Sequence, residues 1–466
     1  MMTNRRGFLQ LGVASLAGAG AAVAPAKRQP SAVRLKIGIL SDIHLRLEPA
    51  SKKLVRALEF FRNARVDGVL ICGDLADSGI VPQLEELARI WEKVFPDSKG
   101  LDGEHVEKLF HYGDHDNRGY VPQGGLDAMK RNGWTDDQCD ENLIFKHPKE
   151  VWERIFGEPW SPLVHKRIKG YDFILANFTR QGWSKAEGLE DFMKVFHPDP
   201  DKPFFYSQHR VLRNTVCGPG VWGQDHGVAT RVLSGYPNCF AFCGHSHQTA
   251  VREDSIWQGA FTAVQVPSLY YVTQEDGHAN KPNGFDAEQG MLLSVYDDLV
   301  KIYRLDFASG KALAGVWNVP LALGERPYAH EMRRRKAERP EFPAGAELVA
   351  RMVDKKGADG KSCRTLHLEF PVVNGLGGGV RAYDYEVTVD ALCFGGDAQR
   401  MVRRFFSPNC QFAPSADTGT VKVELPLGEF KKWNSLKARS WGALHVSVRP
   451  REIFGGTGAA IEADVR

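Results

Sequence analysis

The sequence predicts an α/β fold followed by a smaller all-β domain, and three observations lead there. From Val33 to about Phe307, short apolar runs alternate with amphipathic helical patterns. Polar or acidic residues stand where those apolar runs stop. Beyond Pro343 the pattern changes to apolar–polar alternation broken by Gly-rich turns. The chain has 466 residues, enough for two or three domains that each bury a core. Expected boundaries are a targeting segment at 1–26, the α/β domain at 33–307, a linker at 308–343 and a β-sandwich at 344–466.

Composition is that of a soluble globular protein, with 43% hydrophobic and 25% charged residues. The formal charge of +3 includes Arg5 and Arg6. Without them the chain is close to neutral, which gives no reason to expect a nucleic-acid or anionic-membrane partner. The start, "NRRGFLQLGVASLAGAGAAVAPA", has paired arginines, an uncharged Gly/Ala-rich stretch and a small-x-small site at Ala24-Pro25-Ala26. With Phe8-Leu9 after Arg5-Arg6 it resembles a twin-arginine export signal. The expectation is therefore an exported, periplasmic or extracellular protein with no membrane span after signal removal. An uncleaved anchor is the alternative, but the stretch is short and poor in large apolar residues for a span of about 20.

The elements follow in order. "RLKIGILSDIH" is a buried strand, and Leu54, Val55, Leu58, Phe61 and Ala64 then recur at helical spacing. "VDGVLICGD" is the next strand and "VPQLEELARIWEKVF" the next helix. "KLFHYGD", "YDFILANF", "PFFYSQH" and "NCFAFCGH" are later strands. Ligands in open α/β sheets bind beyond the carboxyl ends of strands, so these ends should converge on one site. The basic cluster Arg333 to Lys336, followed by two prolines, reads as a solvated connector. "RTLHLEF", "YDYEVTVD", "VKVEL" and "ALHVSV" build the β-sandwich. The eight cysteines show no zinc-finger or CxxC spacing, and Cys72 and Cys243 read as buried filler beside motif glycines.

Five short elements carry the chemistry. Asp42 and His44 lie two apart in "SDIH", so in an extended chain their side chains point the same way. Asp74 and Asp77 sit in "GDLAD", Asp114 and His115 in "GDHD", and His209 ends "FFYSQH". His245 and His247 in "GHSH" repeat the spacing of the first pair. Carboxylates and imidazoles crowded at strand ends need compensation, and divalent metals supply it. Mixed Asp and His ligands suit Zn, Mn or Fe, and the set is too rich for one tetrahedral ion. Two metals, divalent or mixed-valence, would use it all.

The order Asp-x-His, Gly-Asp-x-x-Asp, Gly-Asn-His-Asp/Glu, His and Gly-His-x-His resembles the calcineurin-like metallophosphoesterase superfamily, over about Arg34 to Phe307. The resemblance implies a four-layer α/β/β/α sandwich. It also implies that Asp42, His44, Asp74 and His247 hold one metal, with Asp74 bridging, and that Asp114, His209 and His245 hold the other. By the same resemblance His115 protonates the leaving alkoxide or contacts the phosphate, and Asp77 orients it. The implied reaction is hydrolysis of a phosphate mono- or diester, with a small phosphoester or nucleotide-like substrate, by attack of a metal-bound hydroxide.

Asp114 departs from that pattern, because the family has Asn there. Aspartate keeps a ligating oxygen but, ionised, loses the amide donor. Three carboxylates and a hydroxide also cancel two divalent cations, so tighter metal retention and weaker attraction for an anionic substrate are expected. A protonated Asp114 or a trivalent iron would restore the charge. An alternative of another class is a secreted, weakly active metal-containing binding protein, whose C-terminal domain contacts a glycan or envelope component. His111 reads as structural, facing either the site or the opposite sheet face; His165 and His226 fall in loop-like stretches as candidates for the substrate mouth. Trp160, Trp183 and Trp222 read as core packing, with stacking on a sugar or base as the alternative. Specificity should reside in loops such as Gly119–Gly133 and Trp183–Pro203.

Overall fold

The computed structural model describes residues 32–46, 50–118, 129–131, 133–179, 186, 188–218, 220–273, 285–322, 324–356, 362–375, 380–393, 398–408, 419–426 and 441–465. The export-signal segment, Trp183, Cys410 and most of the loop 119–133 lie outside them. In chain order the first region runs β1 (Leu35–Leu40), α1 (Ala50–Ala64), β2 (Gly68–Cys72), α2 (Val81–Val94), β3 (Glu107–His111), α3 (Asp136–Glu141), α4 (Pro148–Phe156), β4 (Leu163–Ile168) and β5 (Tyr171–Ala176). It continues through α5 (Leu189–Val195), β6 (Phe204–Gln208), α6 (Val228–Leu233), β7 (Cys239–Cys243), β8 (Ile256–Gln258) and β9 (Thr262–Gln265). Next come β10 (Tyr271–Val272), β11 (Phe285–Asp286), β12 (Gln289–Val295), β13 (Leu299–Asp306), β14 (Lys311–Ala312), β15 (Trp317–Pro320) and α7 (His330–Lys336).

Two mixed sheets form the centre. One has the order β14-β13-β12-β1-β2-β3, with β15 also paired to β13; the other runs β4-β5-β6-β7-β9-β8. The strands that lead into the motifs are parallel, β1 to β2 to β3 and β6 to β7, so their carboxyl ends lie at one edge. Their apolar residues face each other between the sheets: Leu35, Ile37, Ile39, Leu70 and Leu109 from one, Phe173, Leu175, Phe205, Phe240 and Phe242 from the other. Helices cover both outer faces. Leu54, Leu58 and Phe61 of α1, spaced for one helical stripe, pack with Leu84, Leu87 and Trp91 of α2 over the first sheet. Leu189 and Met193 of α5 and Leu233 of α6 cover the second. The region is therefore the expected four-layer α/β/β/α sandwich.

The segment 308–343, read from the sequence as a linker, contributes β14 and β15 to the edge of the first sheet. Its apolar Trp317 and Val319 alternate with polar neighbours and close the inter-sheet core, a strand signal too short to stand out. Farther on, β16 (Val349–Lys356), β17 (Ser362–Pro371), β18 (Asp384–Cys393), β19 (Ala398–Phe406), β20 (Thr420–Pro426), β21 (Trp441–Arg451) and β22 (Ile461–Val465) form the all-β region. Its sheets β16-β17-β20 and β19-β18-β21-β22 enclose one core, in which Leu366, Leu368 and Val423 meet Tyr385, Val387 and Val446. Among the described residues no helix is long and apolar enough to cross a membrane.

His111 settles between the two sheets. Its Nε2 accepts from the Ser207 hydroxyl of β6 at 2.8 Å, and its Nδ1 donates to the Tyr112 carbonyl at 3.2 Å. Burial pushes its pKa down to about 3, so the ring is neutral at pH 7. In the unfolded chain it titrates near 6.5, so its contribution is complete above that value and is lost as pH falls toward 3. Unfolding free energy should therefore drop by about 2 kcal/mol from this group alone between pH 7 and pH 5. Urea titrations at the two pH values should show a smaller drop in His111→Gln; an equal drop would refute the assignment.

Candidate metal centre

Each motif begins where its strand ends. Asp42 and His44 follow β1, Asp74 and Asp77 follow β2, Asp114 and His115 follow β3, His209 follows β6, and His245 and His247 follow β7. Backbone bonds knit these turns together: Asp42 N to Gly73 O at 3.2 Å, His44 N to Asp74 O at 3.0 Å, Gly244 N to His209 O at 2.8 Å. Asp42, His44, Asp74, His245 and His247 all take positive φ, between 46° and 72°. Such conformations cost about 1–3 kcal/mol each and persist only where surroundings over-determine them. Two motif glycines are required by close approach. A Cβ on Gly113 would lie 2.2 Å from Asp74 Oδ1, and one on Gly244 1.8 Å from Ser41 Oγ.

Two ligand sets result, and Asp74 belongs to both. Asp42, His44, Asp74 and His247 form the first; Asp74, Asp114, His209 and His245 form the second. Asp74 Oδ2 lies 3.6 Å from His44 Nε2, while Oδ1 lies 3.2 Å from His209 Nε2. Oδ1 also accepts the His115 amide at 2.9 Å. Asp42 is held by the Ser41 hydroxyl at 2.7 Å and the His245 amide at 3.0 Å, and its Oδ1 lies 3.2 Å from His247 Nε2. All the site's predicted ligands are thus brought together.

The donor chemistry fits cations. His209 Nδ1 donates to Cys72 O at 2.7 Å and His247 Nδ1 to Tyr271 O at 2.9 Å, which leaves both Nε2 atoms as lone pairs in the neutral rings. Yet His247 Nε2 faces His44 Nε2 at 3.0 Å, and His209 Nε2 faces His245 Nδ1 at 3.2 Å. Buried imidazole nitrogens held this close to one another and to the Asp42 and Asp114 carboxylates are bridged by shared protons or by metal ions. The titration tendencies agree. Burial opposes ionisation of Asp42, but His247 and His209 hold its carboxyl down to about 2. His209, against burial, is held well above its ordinary value by Asp74 and Asp114. Burial pushes His44 down to about 4. Protons and metals therefore compete for the same lone pairs.

The partners of Asp77 and Asp114 correct the sequence reading. The Asp77 carboxylate does not orient His115. It takes a two-point contact from Arg46, at 3.0 and 2.8 Å, and lies 3.3 Å from His44 Nδ1, an electrostatic contact rather than an aligned hydrogen bond. What fixes His115 is the Asp77 backbone carbonyl, 2.8 Å from its Nδ1, leaving Nε2 available. Asp114 has imidazole partners that favour its ionised form. Though buried, it is held well below the ordinary carboxylate range by His245 and His209. Its Oδ1 faces His245 Nδ1 at 2.9 Å and His209 Nε2 at 3.1 Å, and its Oδ2 accepts from Arg118 at 3.0 Å.

Several residues escaped the sequence reading. Trp222 is no core residue: 40% exposed, it stacks on His245 with ring centroids 4.4 Å apart and an interplanar angle of 17°. Tyr271 lies similarly against His247, at 4.1 Å. With Arg118, His115, Thr273 and the ligands Asp74, His245 and His247 they line a cavity of about 40 Å³. Buried Asp116 accepts from the amides of Gly113, Ala76 and Leu75, at 2.6, 2.7 and 3.2 Å, tying the third motif to the second. His165 lies on β4, paired with Asp172 at 2.9 Å, and Trp160 packs at the edge of the helical core. His226 is exposed.

This sandwich, with paired ligand sets at its strand ends, defines the metallophosphoesterase class. Residues 35–249 match the sequence model described as calcineurin-like phosphoesterase, and the chain contains a calcineurin-like metallophosphoesterase domain. That family consists in general of metal-dependent hydrolases with dinuclear centres. Similar solved structures include a dimetal phosphatase from Danio rerio, 10% identical, covering 62% of this chain and 100% of its own with a TM-score of 0.36. A purple acid phosphatase from yellow lupin seeds is 12% identical, with 62% of this chain and 54% of its own covered and a TM-score of 0.41. GAP50, the anchor in the inner membrane complex of Plasmodium, is 11% identical, with 63% and 90% covered and a TM-score of 0.37. No curated protein matches the chain.

Because Asp74 serves both sets, Asp74→Ala should more than halve the metal retained per chain after Mn or Zn loading and desalting, measured by elemental analysis. His115→Ala should leave that metal content unchanged. Equal retention in Asp74→Ala and the unsubstituted chain would rule out a shared ligand.

Proposed function

We propose that the chain is an exported, dinuclear metal-dependent phosphoesterase acting on a phosphate mono- or diester. The observation that carries this reading is the division of the Asp74 carboxylate, one oxygen toward His44 and the other toward His209. Asp42, His44, Asp74 and His247 would hold one cation, and Asp74, Asp114, His209 and His245 the other. When bound, such a pair activates water and neutralises charge that develops on phosphoryl oxygens.

The chain's own groups supply the rest. Asp42 and Asp74 are locked by the Ser41 hydroxyl and by the amides of His245 and His115, so they need little reorganisation as charge develops. His115 keeps Nδ1 on the Asp77 carbonyl, which leaves Nε2 free of that bond, and lines the cavity, where the ring can deliver a proton to a leaving oxygen. Ring contact with His44, at 4.3 Å and nearly perpendicular, fixes its plane. Export rests on the paired arginines and the small-x-small site of the first 26 residues.

Aryl and alkyl phosphate mono- and diesters, assayed across pH with metal-loaded protein, test this reading. His115→Ala should lower kcat by about 10²–10⁴ for alkyl esters, whose leaving groups need a proton, and much less for nitrophenyl esters. Metal-replete protein inactive on every ester would favour a binding role instead. Equal losses for both leaving groups would remove His115 as the proton donor.

A further inference from the structure

Asp114 presents a difficulty that the ligand sets leave open. The carboxylate adds a negative charge where an amide would add none, and it carries no hydrogen to offer a phosphoryl oxygen. The structure divides its two oxygens. Oδ1 turns inward to His209 and His245, and Oδ2 turns outward to Arg118 Nη2 at 3.0 Å. The Asp114 side chain is 11% exposed and that of Arg118 39%, so the pair runs from the buried ligands outward. Arg118 lies one turn beyond Asp114, where the single 3₁₀ turn His115–Asn117 closes with the Arg118 amide donating to His115 O at 3.1 Å. That turn is anchored from beneath by Asp116, and its Asn117 side-chain Nδ2 donates to Gly113 O and Phe178 O at 3.1 and 2.7 Å. Its position is therefore set by the same backbone that sets Asp114.

We propose that Asp114 and Arg118 together replace the single amide expected at this position: the carboxylate holds the cation, and the guanidinium supplies the missing donor and positive charge to a phosphoryl oxygen of the substrate. Arg118 shares its cavity with His115, Trp222, His247 and Tyr271, so an anion reaching the ligands passes within its range. A guanidinium has five N–H donors in a planar fork, and one bond to Oδ2 leaves others for a phosphoryl group. Its fixed charge also returns the net positive charge that three carboxylates and a hydroxide would cancel. The pair rests on the phosphoesterase reading for its substrate, but its binding role is separately measurable.

A double-mutant cycle on the Mn-loaded full chain decides it, with unsubstituted protein, Arg118→Ala, Asp114→Asn and the double variant. Orthophosphate affinity by calorimetry, kcat and KM for an aryl phosphate, and metal per chain are the readouts. Arg118→Ala should weaken orthophosphate binding and raise KM by about 10–100-fold, with metal content unchanged. In the Asp114→Asn background the same substitution should cost less than about threefold, because the amide restores a donor and removes a charge. Arg118→Lys, which keeps the charge and guards against misfolding of the alanine variant, should recover part of the loss. Equal losses in both Asp114 backgrounds, or undiminished orthophosphate affinity in Arg118→Ala, would overturn the proposal. Absent turnover with a non-additive phosphate cycle would sink the phosphoesterase reading alone; normal turnover with an additive cycle would sink this one alone.

Discussion

The site depends on one buried carboxylate that faces two ways. Asp74 sits at the carboxyl end of β2, between the ends of β1 and β3, and its backbone takes a left-handed conformation to turn the side chain back across the strand ends. Side chains on both strands' loops and on the second sheet reach it because Gly113 leaves no Cβ in the way. Any substituent there would collide with the carboxylate or displace it, and the spacing between the ligand sets would go with it. The glycines of the motifs are thus part of the ligand geometry, although they hold nothing themselves.

Around that carboxylate the fold crowds buried carboxylate oxygens and imidazole nitrogens within about hydrogen-bond distance of one another, more than the neighbouring protein donors can satisfy. Ordinary folding avoids this, since buried acceptors facing one another cost several kcal/mol. The cost is tolerated here because the outer nitrogens of His209 and His247 are tied to backbone carbonyls, which dictates the tautomer and turns the lone pair inward. Stability, metal affinity and proton affinity are for that reason aspects of one balance. Acid adds protons to the imidazoles that cations would otherwise occupy, and cation binding expels those protons.

Much of this was legible in the sequence, for a physical reason. An apolar run that stops at Asp-x-His or His-x-His places its polar residues at a strand end, and parallel strands place their ends together. Ligand types and their convergence follow without knowledge of any loop. Partners one step further out do not follow. The Asp77 carboxylate goes to His44 and Arg46 because the left-handed residues in these turns redirect the chain, and nothing in "GDLAD" encodes which neighbour it meets. Arg118 was equally silent, since its approach to Asp114 depends on one 3₁₀ turn. Trp222 misled because its own segment is turn-rich, while its place on His245 is fixed through Val211 and Asp225 bonds to the strand-end loop after β6.

The segment after His247 is held by the first sheet on one side and by the all-β region on the other. Gln289 of β12 accepts from the Ala250 amide at 2.8 Å, and buried Arg304 of β13 donates to Ala250 O at 3.2 Å while pairing with Glu253 at 2.6 Å. Arg304 is held over the Trp317 ring at 4.2 Å, so the strand contributed by segment 308–343 supports the same loop. On its other side Val251 packs with Leu313 and Tyr383, the last from the entry to β18. Arg252, paired with Asp254 at 2.6 Å, lies 5.6 Å from that tyrosine ring. His247 holds a left-handed conformation at the start of this buttressed run. A backbone strained at the ligand needs rigid flanks, and the β-sandwich provides one of them.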